Sequence, residues 1–151
     1  MRLLVAIVPL VFLAAPALAA GWQSGMVEDE GGPVMQAWVE GDAFLLRQAV
    51  ANFIENAAAF SPAGSTIDAR VVREGERVSD VVADRGAGIP DYALPRVFER
   101  FYSLPRPEGG SRSSGLGLCF VAEVAALHGG RATLENAPNG GAIATLELPE
   151  A

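Results

Sequence analysis

Residues 43–60 read AFLLRQAVANFIENAAAF. Leu45, Leu46, Ala49, Val50, Phe53, Ile54 and Ala57 recur at three-to-four spacing. That period predicts a helix with one buried face. Gly41-Asp42 precedes it, with Asp42 placed as N-cap, and Ser61-Pro62-Ala63-Gly64 ends it. Within the same stretch Asn52 and Asn56 stand four apart, so they share a helical face. Asn is a poor residue for a helix interior, so two on one face call for a reason. One reading is a pair of solvated amides. The other is a carboxamide ladder facing phosphates and a bound Mg²⁺, a hard ion that takes oxygen ligands.

Working outward, Ile67, Ala69 and Val71 alternate with polar neighbours, as in a strand with one solvated face. Glu74-Gly75-Glu76 predicts a hairpin turn, and 78–83 the return strand, ending at Asp84. A short helix is expected over 94–101. Residues 102–114 hold Pro105, Pro107, Gly109, Gly110 and several Ser, the composition of a loop. A second long helix is expected over 115–128, closed by Gly129-Gly130. Residues 131–136 and 142–148 form a last hairpin around Pro138-Asn139-Gly140-Gly141. On the near side, 34–40 reads as a short strand. The order predicts an α/β fold of two layers, helices on one face of a mixed, mostly antiparallel sheet.

Composition narrows the chemistry. The chain has 151 residues and a formal net charge of −7; all 11 basic residues are Arg. Without Lys there is no lysine phosphate loop. The acidic balance excludes a general nucleic-acid grip. Cys119, the single Cys, excludes a disulfide framework and a cysteine zinc site, and reads as core. His128, the single His, reads as structural, near a helix C-terminus where a cation is favoured.

Residues 1–20 carry one charge, Arg2, followed by an apolar run and Ala17-Leu18-Ala19. That is the pattern of a signal peptide; a short membrane span or a non-native gene start are the alternatives. Residues 21–33 are Gly-rich and acidic, a linker. The domain proper is expected at 34–149.

Three more segments carry candidate chemistry. In Asp84-Arg85-Gly86-Ala87-Gly88-Ile89 a carboxylate at a strand end can accept a hydrogen bond from an exocyclic amine such as adenine's, and the glycines permit close approach. In Arg96-Val97-Phe98-Glu99-Arg100-Phe101-Tyr102, Phe98 and Phe101 are expected to pack together. Ser113-Ser114-Gly115-Leu116-Gly117-Leu118 opens the second long helix, where backbone N–H groups can meet phosphates.

Taken in order, these four segments resemble the catalytic ATP-binding domain of sensor histidine kinases, a member of the superfamily shared with gyrase, Hsp90 and MutL. The wording of 98–107 and 113–118 is similar to the CreC-type branch. The resemblance implies the Bergerat ATP-binding fold, with ATP and Mg²⁺ as cofactors. It implies Asn56 on Mg²⁺, Asn52 supporting the phosphate end, and Asp84 reading adenine, with Gly86 and Gly88 shaping that pocket. Residues 102–114 become an ATP lid anchored by Phe98 and Phe101. Gly115, Leu116, Gly117 and Leu118 bring backbone amides to the phosphates. Arg100 and Arg112 are the candidates for balancing phosphate charge.

ATP-hydrolysing relatives place a Glu base where Asn52 stands. An amide cannot take a proton from water, so phosphoryl transfer is expected over hydrolysis. Glu55 stands in the wrong place on the helix to substitute. No residue of the chain is assigned as catalytic. The implied partners are a histidine-bearing dimerisation domain, in cis or in trans, and indirectly a response regulator. His128 does not serve as that acceptor. Ala59 replaces the basic residue common three positions after the Mg²⁺ asparagine, and Ser113 replaces a third glycine. The alternative function is a non-catalytic nucleotide-binding or interaction module. The expected location is cytoplasmic, with inner-membrane association as an option, and the apolar leader conflicts with it. A truncated or mis-started kinase gene reconciles the two.

Overall fold

A computed structural model describes residues 2–5, 11–13, 37–107 and 113–151. Three strands come first, β1 (Arg2–Val5), β2 (Val11–Leu13) and β3 (Ala37–Glu40). Helix α1 (Ala43–Phe60) follows, then β4 (Thr66–Glu74) and β5 (Arg77–Ala83). Next come a 3-10 turn (Leu94–Arg96), α2 (Gly117–Leu127), β6 (Arg131–Asn136) and β7 (Ala142–Pro149). The main sheet has the order β2-β4-β5-β7-β6, and β1 pairs separately with β3. Every pairing is antiparallel, so the described sheet is not mixed.

Helix α1 begins where the sequence asks it to. Asp42 Oδ1 accepts from the Phe44 and Leu45 N–H groups, which satisfies two of the first-turn donors. Its stripe Leu46, Ala49, Phe53 and Ala57 is buried. It packs on the sheet face formed by Ile67, Val78, Val82, Ala144, Leu146 and Leu148. The β4–β5 hairpin turns at Gly75-Glu76, with Gly75 at φ 60°.

Two expected helices are shorter than the sequence predicts. The 94–101 segment keeps a 3-10 turn at Leu94–Arg96 and then unwinds. Phe101 at φ 63° cannot continue a right-handed helix. Helix α2 starts at Gly117, not at 115, because Gly115 has φ 69°. At the other end Gly129 (φ 68°) closes α2, and the Gly130 N–H donates to the Ala125 carbonyl. Of the 34–40 strand, 37–40 is observed. The leader at 1–20 is strand where it is described. Its cleavage signal and the 21–33 linker lie outside the described residues. Among the described residues no helix is long and apolar enough to cross a membrane.

The two helices run antiparallel. The Asp42 N–H donates to His128 Nε2 (3.0 Å), which ties the start of α1 to the end of α2. Ten residues along α1, the Asn52 amide oxygen lies 3.5 Å from where a Cβ on Gly117 would stand. Helix α1 has 18 residues and α2 has 11. The second half of α1 therefore overhangs the N-terminus of α2.

His128 differs from the cationic reading. The Val124 carbonyl can only accept, so Nδ1 (2.7 Å away) carries the proton; the Asp42 N–H can only donate, so Nε2 accepts. The ring here is the neutral Nδ1–H tautomer, holding two backbone groups. Gly41 leaves room for it, since a Cβ there would collide with His128 Cδ2.

Asp80 was hidden inside a strand run. It stands between Val78 and Val82 on the helix-facing side, with Val71 and Leu146 as cross-strand neighbours. Burial pushes its pKa up to about 6.

Two outcomes follow from this packing. Replacing His128 with Ala leaves the Asp42 N–H without its acceptor, and a urea melt at pH 8 should show a loss of about 1–2 kcal/mol. For Asp80, the unfolded carboxyl ionises near pH 4 and the folded one near 6. Its burial is harmless below pH 4 and destabilises increasingly as pH rises to about 6. Asp80→Asn should therefore be more stable than the parent by about 1–3 kcal/mol above pH 6, with the gap closing toward pH 4. A gap independent of pH refutes this.

Candidate nucleotide site

The overhang of α1 roofs a cavity of about 440 Å³. Asn52 and Asn56 line it, one helical position behind the buried Phe53 and Ala57. The core stripe and the amide stripe are thus neighbours on one helix. From Gln48 to Phe60, both in the lining, α1 rises about 18 Å, which sets the cavity's length along the helix.

At the Phe60 end the wall is apolar, with Val82, Ile89, Leu134 and Ala144. One carboxylate, Asp84, interrupts it. Asp84 Oδ1 accepts from the Gly86 N–H (2.7 Å) and the Ala142 N–H (3.2 Å). Those two bonds orient the carboxylate and leave Oδ2 for a ligand's donor. Two glycines make this possible. A Cβ on Gly86 would lie 2.5 Å from the Phe60 carbonyl oxygen, and one on Gly141 (φ 86°) would strike the Asp84 carbonyl. Gly86 therefore shapes the pocket from behind and is not in its lining, whereas Gly88 is. Asn136 completes the frame: its Oδ1 accepts from the Ile89 N–H (2.6 Å) and its Nδ2 donates to the Ile89 carbonyl (2.8 Å).

At the Asn52 end, Gly115, Leu116, Gly117 and Leu118 line the cavity. Leu116 is the N-cap of α2 and supplies no side-chain bond. The first backbone bond of α2 runs from the Phe120 N–H to the Leu116 carbonyl. The N–H groups of 117–119 thus have no acceptor within the helix, and the positive end of its dipole faces the cavity.

The aromatic segment departs from expectation. Phe98 is half-buried and Phe101 is 76% exposed; neither lines the cavity. Their places are taken by Val97, buried, and Tyr102. The Tyr102 ring lies under the Arg96 guanidinium (4.4 Å), which Glu99 holds at 3.1 Å. Phe101 is turned outward by its backbone. Its N–H donates to the Gly115 carbonyl, and a Cβ on Gly115 would lie 2.5 Å from its carbonyl carbon. A non-glycine residue at positive φ costs about 1–3 kcal/mol, so the contact with Gly115 must hold it there.

Arg100 also departs. Its guanidinium sits against the Cys119 thiol and the Glu123 carboxylate (3.4 Å), which favour its charged form, and it does not line the cavity. Arg112 lies outside the described residues. Arg106 lines the cavity and was not singled out by the sequence. Glu55, set aside by helix spacing, borders the cavity as an exposed carboxylate. Among the described residues no cluster of three His, Cys, Asp or Glu could hold a metal ion.

Comparison with known proteins agrees with this geometry. The family model "Histidine kinase-, DNA gyrase B-, and HSP90-like ATPase" matches residues 41–151. The sensor protein CreC of Escherichia coli is 50% identical over 110 residues, 73% of this chain and 23% of that protein. The histidine kinase AfsQ2 of Streptomyces coelicolor is 45% identical over 101 residues, 67% of this chain and 18% of that protein. The chain thus spans about a quarter or less of these curated relatives. Among solved structures, the mycobacterial sensor histidine kinase MprB superposes with a TM-score of 0.66 at 33% identity, covering 76% of each chain. The ATP-binding domain of PrrB from Mycobacterium tuberculosis gives 0.61 at 36% identity, covering 80% of this chain and 77% of that one. The chain belongs to this family, and it corresponds to the ATP-binding catalytic domain of sensor histidine kinases.

Proposed function

We propose that the domain, at 34–149, binds Mg²⁺–ATP and presents the terminal phosphoryl group to a histidine on a dimerisation domain in cis or in trans. The carrying observation is that Asp84, Asn52, Asn56 and the open end of α2 border one continuous cavity. Adenine enters the apolar end, its amino group donating to Asp84. The triphosphate runs along α1 toward the unmatched N–H groups of 117–119. A full-length sensor kinase of the same fold, ShkA, was solved with AMPPNP, which supports this reading (TM-score 0.59, 32% identity, 79% of this chain).

The donor set fits Mg²⁺. That ion is usually held by one or two protein oxygens together with substrate phosphates and water, and it neutralises charge developing on the phosphates. The Asn56 carboxamide oxygen is such a donor, and Asn52 one turn earlier supports the phosphate end.

The residues also bear on what happens to the phosphoryl group. Asn52 cannot act as a base toward water. Glu55, three residues on, is an exposed carboxylate at the cavity's border and does not stand at the Asn52 position. The site positions and neutralises; the nucleophile comes from elsewhere. A response regulator would act downstream of that histidine. A second reading, a module that binds nucleotide without transferring phosphate, is favoured by Ala59 in the cavity wall, where no cation is supplied.

Titrating Asn56→Ala with a Mg²⁺–ATP analogue should show affinity lowered at least tenfold, about 1.4 kcal/mol or more. Unchanged affinity sinks the metal assignment. Mixing the chain with labelled ATP and the dimerisation domain of a CreC-like kinase should yield acid-labile label on histidine. Tight ATP binding with no labelled histidine under any pairing selects the non-catalytic module.

A further inference from the structure

The apolar end of the cavity has one wall residue outside the sheet. Val82, Leu134 and Ala144 stand on β5, β6 and β7, which fix them in place. Ile89 stands on the loop that leaves β5 at Asp84. In the strand order β5-β7-β6, that loop crosses the end of β7 and is held on both sides of it. On the β5 side the Asp84 N–H donates to the Ala142 carbonyl (2.9 Å), and the Ala142 N–H donates to Asp84 Oδ1 (3.2 Å). On the β6 side Asn136 holds both the Ile89 N–H and the Ile89 carbonyl. Asn136 and Ala142 are cross-strand partners. A single rung of the β6–β7 ladder therefore bolts both ends of the loop.

The two Asn136 bonds imitate a strand. Opposed residues of an antiparallel sheet can exchange one N–H···O bond in each direction. The backbone of Asn136 is already in register with Ala142. Its carboxamide, with a donor and an acceptor, offers Ile89 the same pair of bonds from the side chain. Both backbone polar groups of Ile89 are thereby matched, and the residue forms part of the cavity wall. Gly88 permits the approach: it has φ 80°, and a Cβ on it would lie 2.9 Å from Asn136 Oδ1. Asn136 is exposed and does not itself line the cavity, so it acts through Ile89. The placement of Ile89 matters because dispersion is short-ranged. A wall withdrawn by roughly 0.5–1 Å loses about a quarter to a half of its contact energy.

We propose that Asn136 is a positioning residue for the base: by holding Ile89 at contact distance, it sets how tightly the adenine end of the cavity is filled. The proposal rests on the nucleotide reading given above. It divides the work at this end between two residues. Asp84 meets the amino group, and Asn136 fixes the apolar surface against which the ring lies. Because the amide is bonded before a ligand arrives, it also lowers the cost of ordering the loop on binding.

The test titrates the parent chain, Asn136→Ala and Asn136→Asp with adenosine, with Mg²⁺–ATP and with Mg²⁺–triphosphate (the inorganic tail without a base). Amide hydrogen exchange is followed alongside. Because Asn136 is exposed, neither substitution opens the core. Asn136→Ala should bind adenosine and ATP about fivefold more weakly, by one common factor, and leave triphosphate unchanged. The Ile89 amide should exchange faster, while the Asp84 amide, bonded to Ala142, keeps its protection. Asn136→Asp keeps the shape and the acceptor but turns an oxygen toward the Ile89 carbonyl. It should bind adenosine no better than Asn136→Ala. Unchanged adenosine affinity in Asn136→Ala overturns the proposal, as does parental affinity in Asn136→Asp, which marks shape alone. An equal loss for triphosphate also overturns it, since the effect then lies in the fold as a whole. A parent chain that binds neither adenosine nor ATP overturns the nucleotide reading, and the proposal with it.

Discussion

The rotation of α1 about its own axis fixes everything else in this molecule. The stripe Leu46, Ala49, Phe53 and Ala57 must face the sheet, because only there can it leave water. Once that stripe is set, the 3.6-residue period places Asn52 and Asn56 about 100° away, at the margin of the core. Polar groups at that margin stay solvated while touching apolar walls on the other side. An apolar base and a charged tail can then lie along one helix without burying a charge. The cavity is thus a by-product of core packing. A change that rotated α1 to improve packing would move both amides out of it.

The length difference between the helices does the rest. Helix α2 stops short of the end of α1, so its free N–H groups open under a roof and not into bulk water. An uncapped N-terminus is a modest defect in an isolated helix. Here it is retained, and the strained Phe101 backbone and the left-handed Gly115 lie immediately before it. Local conflicts with good helix design gather at one place, and that place is the ligand end.

Much of this was legible in the chain. Helix α1, its Asp42 cap, the β4–β5 hairpin and the last hairpin follow from period and turn chemistry, which are local properties. The amide stripe, Asp84 and the glycine segments were readable for the same reason. What escaped was non-local. Gly141 looks like a turn residue until the Asp84 carbonyl is seen against it. Asn136 ends a strand and gives no sign of the Ile89 backbone it holds. Phe101 is aromatic and near Phe98, which argues for packing. Its positive φ comes from Gly115, fourteen residues on, and turns it outward. Arg100 and Arg106 have the same chemistry in sequence and differ only in where their neighbours point them. Asp80 gives no sign within the 78–83 run, because only the strand register shows which side of the sheet it takes.

The hydrogen bond between the Asp42 N–H and His128 closes a loop of 86 residues with one imidazole. It pins the two helices at the end away from the cavity, so the pair behaves as tongs joined at the handle. Separation of α1 from α2 is resisted at the pin and by the core they share, and the pair opens out where Asn52 meets Gly117. The chain also enters α1 directly at that pin, through Gly41. One backbone-to-imidazole bond thus joins residues that are far apart in the chain at the closed end of the helix pair, and leaves the open end to the nucleotide site.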